Sequence, residues 1–150
     1  MSVVILIFCA ALLFFYLQAA CERIIQRPFE EPLTRPIVES NKLSFLYVRQ
    51  ALEPCAAPVD CARFRLQLNG DFAALTGLLR SAGAQRRRLS GAERTGVIYF
   101  RLLSGLLAFF HLFGMEGRSL LLKMTSVLEF FANLLGERTK RVCFAAAHTL

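Results

Sequence analysis

The sequence predicts an all-α membrane protein with one N-terminal transmembrane helix, a proline-containing linker and a small cytoplasmic helical bundle of about four helices. Three observations support this class. Residues 3–20 carry no charged side chain, all five prolines fall between residues 26 and 60, and apolar residues recur at helical spacing from residue 60 onward. The mean hydropathy of +0.47 is expected when part of a chain lies in lipid. We therefore assign residues 1–21 to the anchor, 22–40 to the linker and 41–150 to the helical bundle domain.

The first element is an apolar run of 18 residues, Val3–Ala20, followed by Cys21. At about 1.5 Å per helical residue, this run approaches the ~30 Å hydrocarbon core of a bilayer. A cleaved signal peptide is disfavoured because no basic side chain precedes the run. The Ala19-Ala20-Cys21 ending is similar to a bacterial lipoprotein signal, but Gln18 stands where that signal has a branched apolar residue. We therefore predict a retained transmembrane helix with a free thiol at the membrane edge.

The residues that flank the run predict its orientation. Arg23, Arg27 and Arg35 follow it, and basic residues near a span stay on the cytoplasmic side. The five cysteines show no disulfide-framework spacing, which fits a reducing compartment. The sequence thus predicts a single-pass protein of the bacterial inner (plasma) membrane, with its amino terminus outside and its C-terminal body in the cytoplasm.

The linker and the bundle helices are predicted from prolines, caps and periodicity. The stretch "RPFEEPLTRP" indicates an extended linker, because proline disfavours helix at the residue before it. Ser90 and Glu93 match a capping box, which starts a helix. The four predicted helices lie near residues 41–53, 60–82, 91–113 and 119–142. The second has an apolar stripe at steps of three and four: Phe64, Leu68, Phe72, Leu75 and Leu79.

The last two helical segments are apolar enough to be either membrane spans or the central pair of a soluble bundle. Arg101, His111, Lys123 and Glu129 disfavour spans, since a charge near the centre of a span costs about 2.5 to 3.5 kcal/mol on insertion scales. Polar residues also gather on one side of each helix, which suits a solvated bundle. We predict the bundle and keep three spans as the alternative, in which Glu129 would pair with Arg101 or His111.

No motif predicts catalysis, a cofactor or a metal site. Cys55 and Cys61 form a single C-x5-C pair, whereas structural zinc usually has two closely spaced ligand pairs. His111 and His148 are distant from that pair in sequence, and neither a nucleophile motif nor a phosphate-binding glycine loop occurs. We therefore expect no enzyme. A membrane-associated enzyme would require Cys55, Cys61 or His111 to be essential.

The most basic stretch of the chain lies between residues 80 and 94. Near an inner leaflet, each basic residue gains about 1 kcal/mol from anionic lipid. The stretch is therefore predicted to contact anionic lipid headgroups or an acidic protein partner, and the alternative is a solvated loop that only follows the positive-inside rule. Nucleic acid is disfavoured because neither a binding module nor interleaved aromatic residues accompany the charges. Five arginines stand here against one acid: Arg80, Arg86, Arg87, Arg88 and Arg94.

Phenylalanines on the last two helices form wide apolar arcs, which a small bundle covers only in part. The predicted partner surface consists of Phe100, Phe109, Phe110, Phe113, Phe130 and Phe131. The alternative is that the other helices cover these side chains. The sequence thus predicts a non-catalytic, membrane-anchored helical adaptor or accessory subunit that contacts a protein partner or a second copy of itself. A three-span integral subunit of a transport or electron-transfer complex is the alternative.

Overall fold

The computed structural model describes residues 2–26, 33–54, 58–82 and 90–148. All regular secondary structure within these ranges is helical, which confirms the all-α class. The N-terminal apolar run is a helix, as predicted. The six helices are α1 (Ser2–Ile25), α2 (Thr34–Asn41), α3 (Phe45–Leu52), α4 (Cys61–Ala82), α5 (Gly91–Leu112) and α6 (Arg118–His148).

Helix α6 lies at the centre of the fold and contacts each of the other five helices. Its core residues Leu121, Met124, Leu128 and Phe131 are fully buried. Its middle turns are buried on most sides, although the Lys123 and Glu129 side chains remain 37% and 38% exposed. The apolar character of α6 is therefore accounted for by packing against α2, α3, α4 and α5.

The predicted apolar stripe of α4 faces this core. Leu68, Leu75 and Leu79 are buried, and Phe64 and Phe72 are partly buried against them. The helix continues through the Asn69-Gly70 dipeptide without interruption. The predicted capping box at Ser90 and Glu93 is confirmed, with both of its hydrogen bonds present at the start of α5.

Helices α1 and α2 depart from the predicted organisation. Helix α1 continues to Ile25, and its last turns pack against the body, where Cys21 is buried. Helix α2 lies within the stretch predicted as an extended linker, so the extended linker is not confirmed. Pro36 is compatible with α2 because it lies in the first turn, where a backbone N–H has no partner within the helix. Lys42 then ends α2 in the left-handed conformation, with φ of 52°.

Side chains from other helices cap α2 and α3, whose own N-cap residues make no side-chain cap. Asn133 of α6 accepts hydrogen bonds through Oδ1 from the Leu33 N–H at 3.0 Å and the Thr34 hydroxyl at 2.8 Å. Asp71 of α4 accepts through Oδ2 from the Ser44 N–H at 2.8 Å. Burial raises the pKa of Asp71, while hydrogen bonds from Ser44 and Phe45 act in the opposite direction. The two short helices are thus held by tertiary contacts.

Ion pairs connect α6 to three of its neighbours, and the one with α1 joins Lys123 to Glu22 at 3.9 Å. Glu129 pairs with Arg49 of α3, and not with Arg101 or His111, the partners considered from the sequence. Arg138 pairs with Glu93 of α5, which is 2% exposed. Arg138 also donates a hydrogen bond to the Leu79 carbonyl of α4 at 3.3 Å. This guanidinium therefore joins three helices at one end of the core.

Candidate functional site

The N-terminal half of α1 is an apolar helix that nothing in the described chain covers. Every side chain from Ser2 to Leu13 is exposed, and the 18-residue window that defines the candidate span has a mean hydropathy of 2.5 with none of its residues buried. Contact with the body starts near Leu17 and continues through Cys21 to Ile25. Such a surface is unfavourable in water and suits hydrocarbon.

Among the described residues, three helices are long and apolar enough to cross a membrane: α1, α5 and α6. Their exposure differs. In the most apolar 18-residue windows of α5 and α6, 28% and 67% of the residues are buried within the protein. The number of candidate spans is therefore three and not the single one that was predicted, and α1 is the one that the protein covers least.

Helix α5 presents an exposed apolar face, which we call the α5 face: Ile98, Leu102, Gly105, Phe109 and Leu112. At 100° per residue these positions lie within about 80° of one another. The exposed fractions of the four apolar side chains run from 43% at Leu102 to 81% at Leu112. The opposite side of the helix, with Leu103 and Leu107, is buried against the core. A contiguous exposed apolar face of this kind is typical of a protein contact or a lipid contact.

The six predicted partner phenylalanines divide between the core and the surface. Phe100, Phe130 and Phe131 are buried, which corrects their assignment to an exposed surface. Phe110 is partly buried against the core. Phe109 and Phe113 are 53% and 66% exposed, and they are the members that a partner can reach. The sequence analysis missed Ile98, Leu102 and Leu112, although their spacing on the side opposite the buried leucines was a usable signal.

The core phenylalanines explain this division. The rings of Phe72 and Phe100 stack with centroids 4.0 Å apart and an interplanar angle of 7°. The Phe131 ring meets Phe72 edge-on at 5.8 Å. The Phe131 ring fits here because residue 96 is glycine, and a Cβ at that position would lie only 3.0 Å from the ring. The cluster joins α4, α5 and α6, so these aromatic side chains hold the core together.

The predicted basic cluster is described only at its two ends. Arg80, in the last turn of α4, and Arg94, in the first turns of α5, are both exposed. Arg86, Arg87 and Arg88 lie outside the described residues. The Cys21 thiol donates to the Thr95 carbonyl at 3.9 Å, which brings the end of α1 against the turn that carries Arg94. An arginine of the cluster therefore lies beside the point where α1 leaves the body.

Cys61 and His111, which are 50 residues apart in sequence, line the same cleft of about 290 Å³. The cleft lies between the start of α4 and the α5–α6 connection, and sequence spacing alone gave no signal for this proximity. Cys55 lies outside the described residues. No group of three or more His, Cys, Asp or Glu side chains in the described ranges could hold a metal ion.

No protein-family model matches the chain, and neither the curated proteins nor the solved structures include a significant match. The features that bear on function are therefore the surfaces themselves. They are the exposed half of α1, the α5 face, and Arg23 and Arg94 near the end of α1.

Proposed function

We propose that this chain is a non-catalytic, membrane-anchored helical adaptor or accessory subunit, which presents a protein-interaction surface at the bacterial inner membrane. The observation that carries the proposal is the contrast between α1 and α6. Both helices contain a long apolar window, but none of the residues in the α1 window is buried, whereas 67% of those in the α6 window are buried within the protein. A bilayer would therefore cover the exposed apolar side chains of α1, whereas most apolar side chains of α6 are already covered by the core.

The polar neighbours of α6 support a single span. Helix α3 contacts α6 and pairs Arg49 with Glu129, and both side chains remain more than a third exposed. Transfer of α6 into lipid would carry this pair and the other charged residues of α2 and α3 toward the hydrocarbon, where charge is expensive. Water around the body accommodates these groups without such a penalty.

The α5 face supplies the interaction surface of the proposed adaptor. Its side chains are large, apolar and contiguous. A protein anchored in a membrane also encounters other membrane proteins more often, because both are confined to the same surface. A protein partner or a second copy of the chain would bury Leu102, Phe109 and Leu112. Arg23 in the last turn of α1 and Arg94 beside it support an amino terminus outside and a body on the cytoplasmic side, in contact with anionic headgroups.

A three-span integral subunit of a transport or electron-transfer complex is the second candidate. The observation that favours it is the exposed α5 face itself, because lipid would cover these side chains as well as a protein partner would. In that arrangement α5 and α6 cross the membrane as an antiparallel pair, and the α5–α6 connection reaches the outer side.

Membrane topology separates the two candidates. The experiment uses a variant without native cysteines, with one probe cysteine in place of Met115, which is 55% exposed in the α5–α6 connection. A membrane-impermeant thiol reagent is applied to intact and to permeabilised cells. A second probe at Ser2 reports the amino terminus, and a third at Arg63, on exposed α4 surface, reports the body.

The adaptor proposal expects labelling at Ser2 in intact cells, and labelling at Met115 and Arg63 only after permeabilisation. Labelling at Ser2 and Met115 from outside, with Arg63 protected, indicates three spans and overturns the single-pass proposal. Labelling at Arg63 from outside overturns the orientation.

A further inference from the structure

A polar groove of about 440 Å³ runs between α4 and α5, and it includes Arg80 of the basic cluster but no residue of α1 or the α5 face. Its floor is formed by the stacked rings of Phe72 and Phe100. One end is closed by a hydrogen bond in which the Ser104 hydroxyl donates to Asn69 Oδ1 at 3.1 Å. Arg80 and Arg101 also line the groove, one from each helix.

Small residues on α4 keep the groove open. Ala73 and Gly77 form part of its wall, and a Cβ built at Gly77 meets nothing within 4 Å. Along α4, the groove extends from Asn69 to Arg80, which corresponds to about 16 Å of helix. It is therefore larger than a single inorganic anion needs and can hold an organic group as well.

The two arginines of the groove are available to a ligand. Elsewhere Glu129 neutralises Arg49 and Glu93 neutralises Arg138. Arg80 and Arg101 make no ion pair with any acid in the described part of the chain, and no acidic side chain lines the groove. The groove thus carries two arginines and no acid, which favours an anionic ligand.

The remaining polar groups also favour a ligand rich in acceptor atoms. Because Asn69 Oδ1 accepts from Ser104, the amide NH₂ of Asn69 is left as a donor. The Thr76 hydroxyl donates its proton to the Phe72 carbonyl at 2.8 Å. The groups that remain free to donate are therefore the guanidinium groups and an amide, which match the oxygens of a phosphoryl group.

We propose that this groove binds a phosphate ester, for which the Arg80 and Arg101 guanidinium groups and the Asn69 amide supply donors along the groove and Phe72 supplies an apolar contact for the organic part. A tetrahedral phosphate offers oxygens to donors on both walls, whereas a carboxylate offers its two oxygens in one plane. The ester can be the headgroup of an anionic phospholipid or a soluble phosphate ester. The site exists in the fold whichever membrane topology holds, so it does not depend on the adaptor proposal.

The test is a binding measurement on the purified full chain in a nonionic detergent. The soluble probe is sn-glycerol 3-phosphate. The lipid probes are short-chain dihexanoyl phosphatidic acid and, as the zwitterionic control, dihexanoyl phosphatidylcholine. The site variant is Arg80→Gln with Arg101→Gln. Its matched control is Arg35→Gln with Arg63→Gln, which removes the same net charge from exposed positions outside the groove.

We expect the site variant to bind the anionic probe at least about tenfold more weakly than the parent chain does, since each arginine contributes a charge-assisted hydrogen bond. The control pair should stay within about twofold of the parent chain. Binding of glycerol phosphate with this pattern identifies a soluble ester as the ligand, and binding of phosphatidic acid alone identifies a phospholipid. Equal losses in the two double variants, or no binding of either anionic probe, would overturn the proposal.

A third variant tests the groove without changing charge. Gly77→Leu places a side chain in the open space of the wall and should improve the helix locally. We expect it to abolish binding while its thermal unfolding stays at or above that of the parent chain. Binding retained in Gly77→Leu would show that the arginines act as general surface charge, against the proposal.

Discussion

Thr34 and Asn133 are joined by a buried hydrogen bond across 99 residues of sequence: the Thr34 hydroxyl donates to Asn133 Oδ1 at 2.8 Å. The same oxygen accepts from the Leu33 N–H, so one α6 side chain satisfies the start of α2. Gly136, one turn later, allows the close approach, because a Cβ there would lie 2.5 Å from the Leu33 Cβ. The position of α2 therefore depends on this part of α6.

Replacement of Asn133 tests that dependence. Asn133→Ala leaves two donors at the start of α2 without an acceptor, and we expect it to lower the free energy of unfolding by about 1–3 kcal/mol. The matched control is Ser40→Ala, which removes a local hydrogen bond on the exposed side of α2 and should cost no more than about 0.5 kcal/mol. Denaturant unfolding of the full chain in detergent, followed by circular dichroism, gives both values. Equal effects would mean that α2 is held by apolar contacts alone.

The Arg138–Glu93 pair is predicted to be the most sensitive polar contact of the core. Arg138→Met leaves the carboxylate of Glu93, which is 2% exposed, without its charge partner, at a cost of about 3–5 kcal/mol. Arg141→Met removes an arginine that is 82% exposed and should cost less than about 1 kcal/mol. Thermal and denaturant unfolding give the comparison.

A double variant separates loss of charge pairing from loss of packing at this site. Adding Glu93→Gln to Arg138→Met removes the buried charge, and we expect it to recover a large part of the lost stability. If the double variant is no more stable than Arg138→Met, the arginine acts through its packing and its hydrogen bond to Leu79.

Asp71 is predicted to make stability depend on pH. Because burial raises its pKa above the ordinary value of 3.8, the folded chain binds more protons at this site than the unfolded chain does between 3.8 and the raised pKa. The contribution of Asp71 to stability therefore falls as pH rises through that window. In Asp71→Asn, which keeps an acceptor for the Ser44 N–H, this fall should disappear. Unfolding free energies of the two proteins, measured from the acidic side to neutral pH, give the difference curve.

A second replacement at this position isolates the cap from the charge. Asp71→Ala removes the acceptor altogether, so we expect it to be less stable than Asp71→Asn at every pH, by about 1–3 kcal/mol. A parent chain that gains stability relative to Asp71→Asn as pH rises would contradict the assigned role of burial.

The α5 face should be covered by a partner in the native membrane. A photo-crosslinking amino acid at Leu102, which is 43% exposed, should yield a discrete protein adduct, whereas the same group at exposed Arg63 on α4 should not. Gel mobility and mass spectrometry of the adduct distinguish a second copy of the chain from another protein. Adducts with lipid alone at Leu102 would instead support the three-span alternative.

Local signals in the sequence sufficed for the helices that carry strong periodicity. The α4 stripe of Leu68, Leu75 and Leu79 is in the core, and the capping box at Ser90 starts α5. Helix α2 was not predicted because the side chain that caps its start, Asn133, lies nearly one hundred residues away, and local proline content argued against a helix. Such tertiary capping leaves no trace in the local sequence.

The same limit applies to the surfaces. Periodicity shows that a helix has an apolar arc, but it does not show which part of a wide arc a neighbour covers. Phe100 and Phe109 are nine residues apart on α5, yet one stacks on Phe72 in the core and the other is exposed. The Cys61–His111 cleft and the groove between α4 and α5 arise from contacts between helices, which one sequence cannot reveal.

The central position of α6 also has a consequence for biosynthesis. Every other helix contacts α6, yet α6 follows all of them in the chain, so the ribosome completes five helices before their common partner appears. At about 5–20 residues per second, the earlier helices wait several seconds with their apolar sides uncovered. If α1 is a membrane anchor, as we propose, this interval lets the membrane-insertion machinery capture it before the body closes against its last turns. Nascent chains arrested before α6 should therefore be sensitive to protease and bound by chaperones.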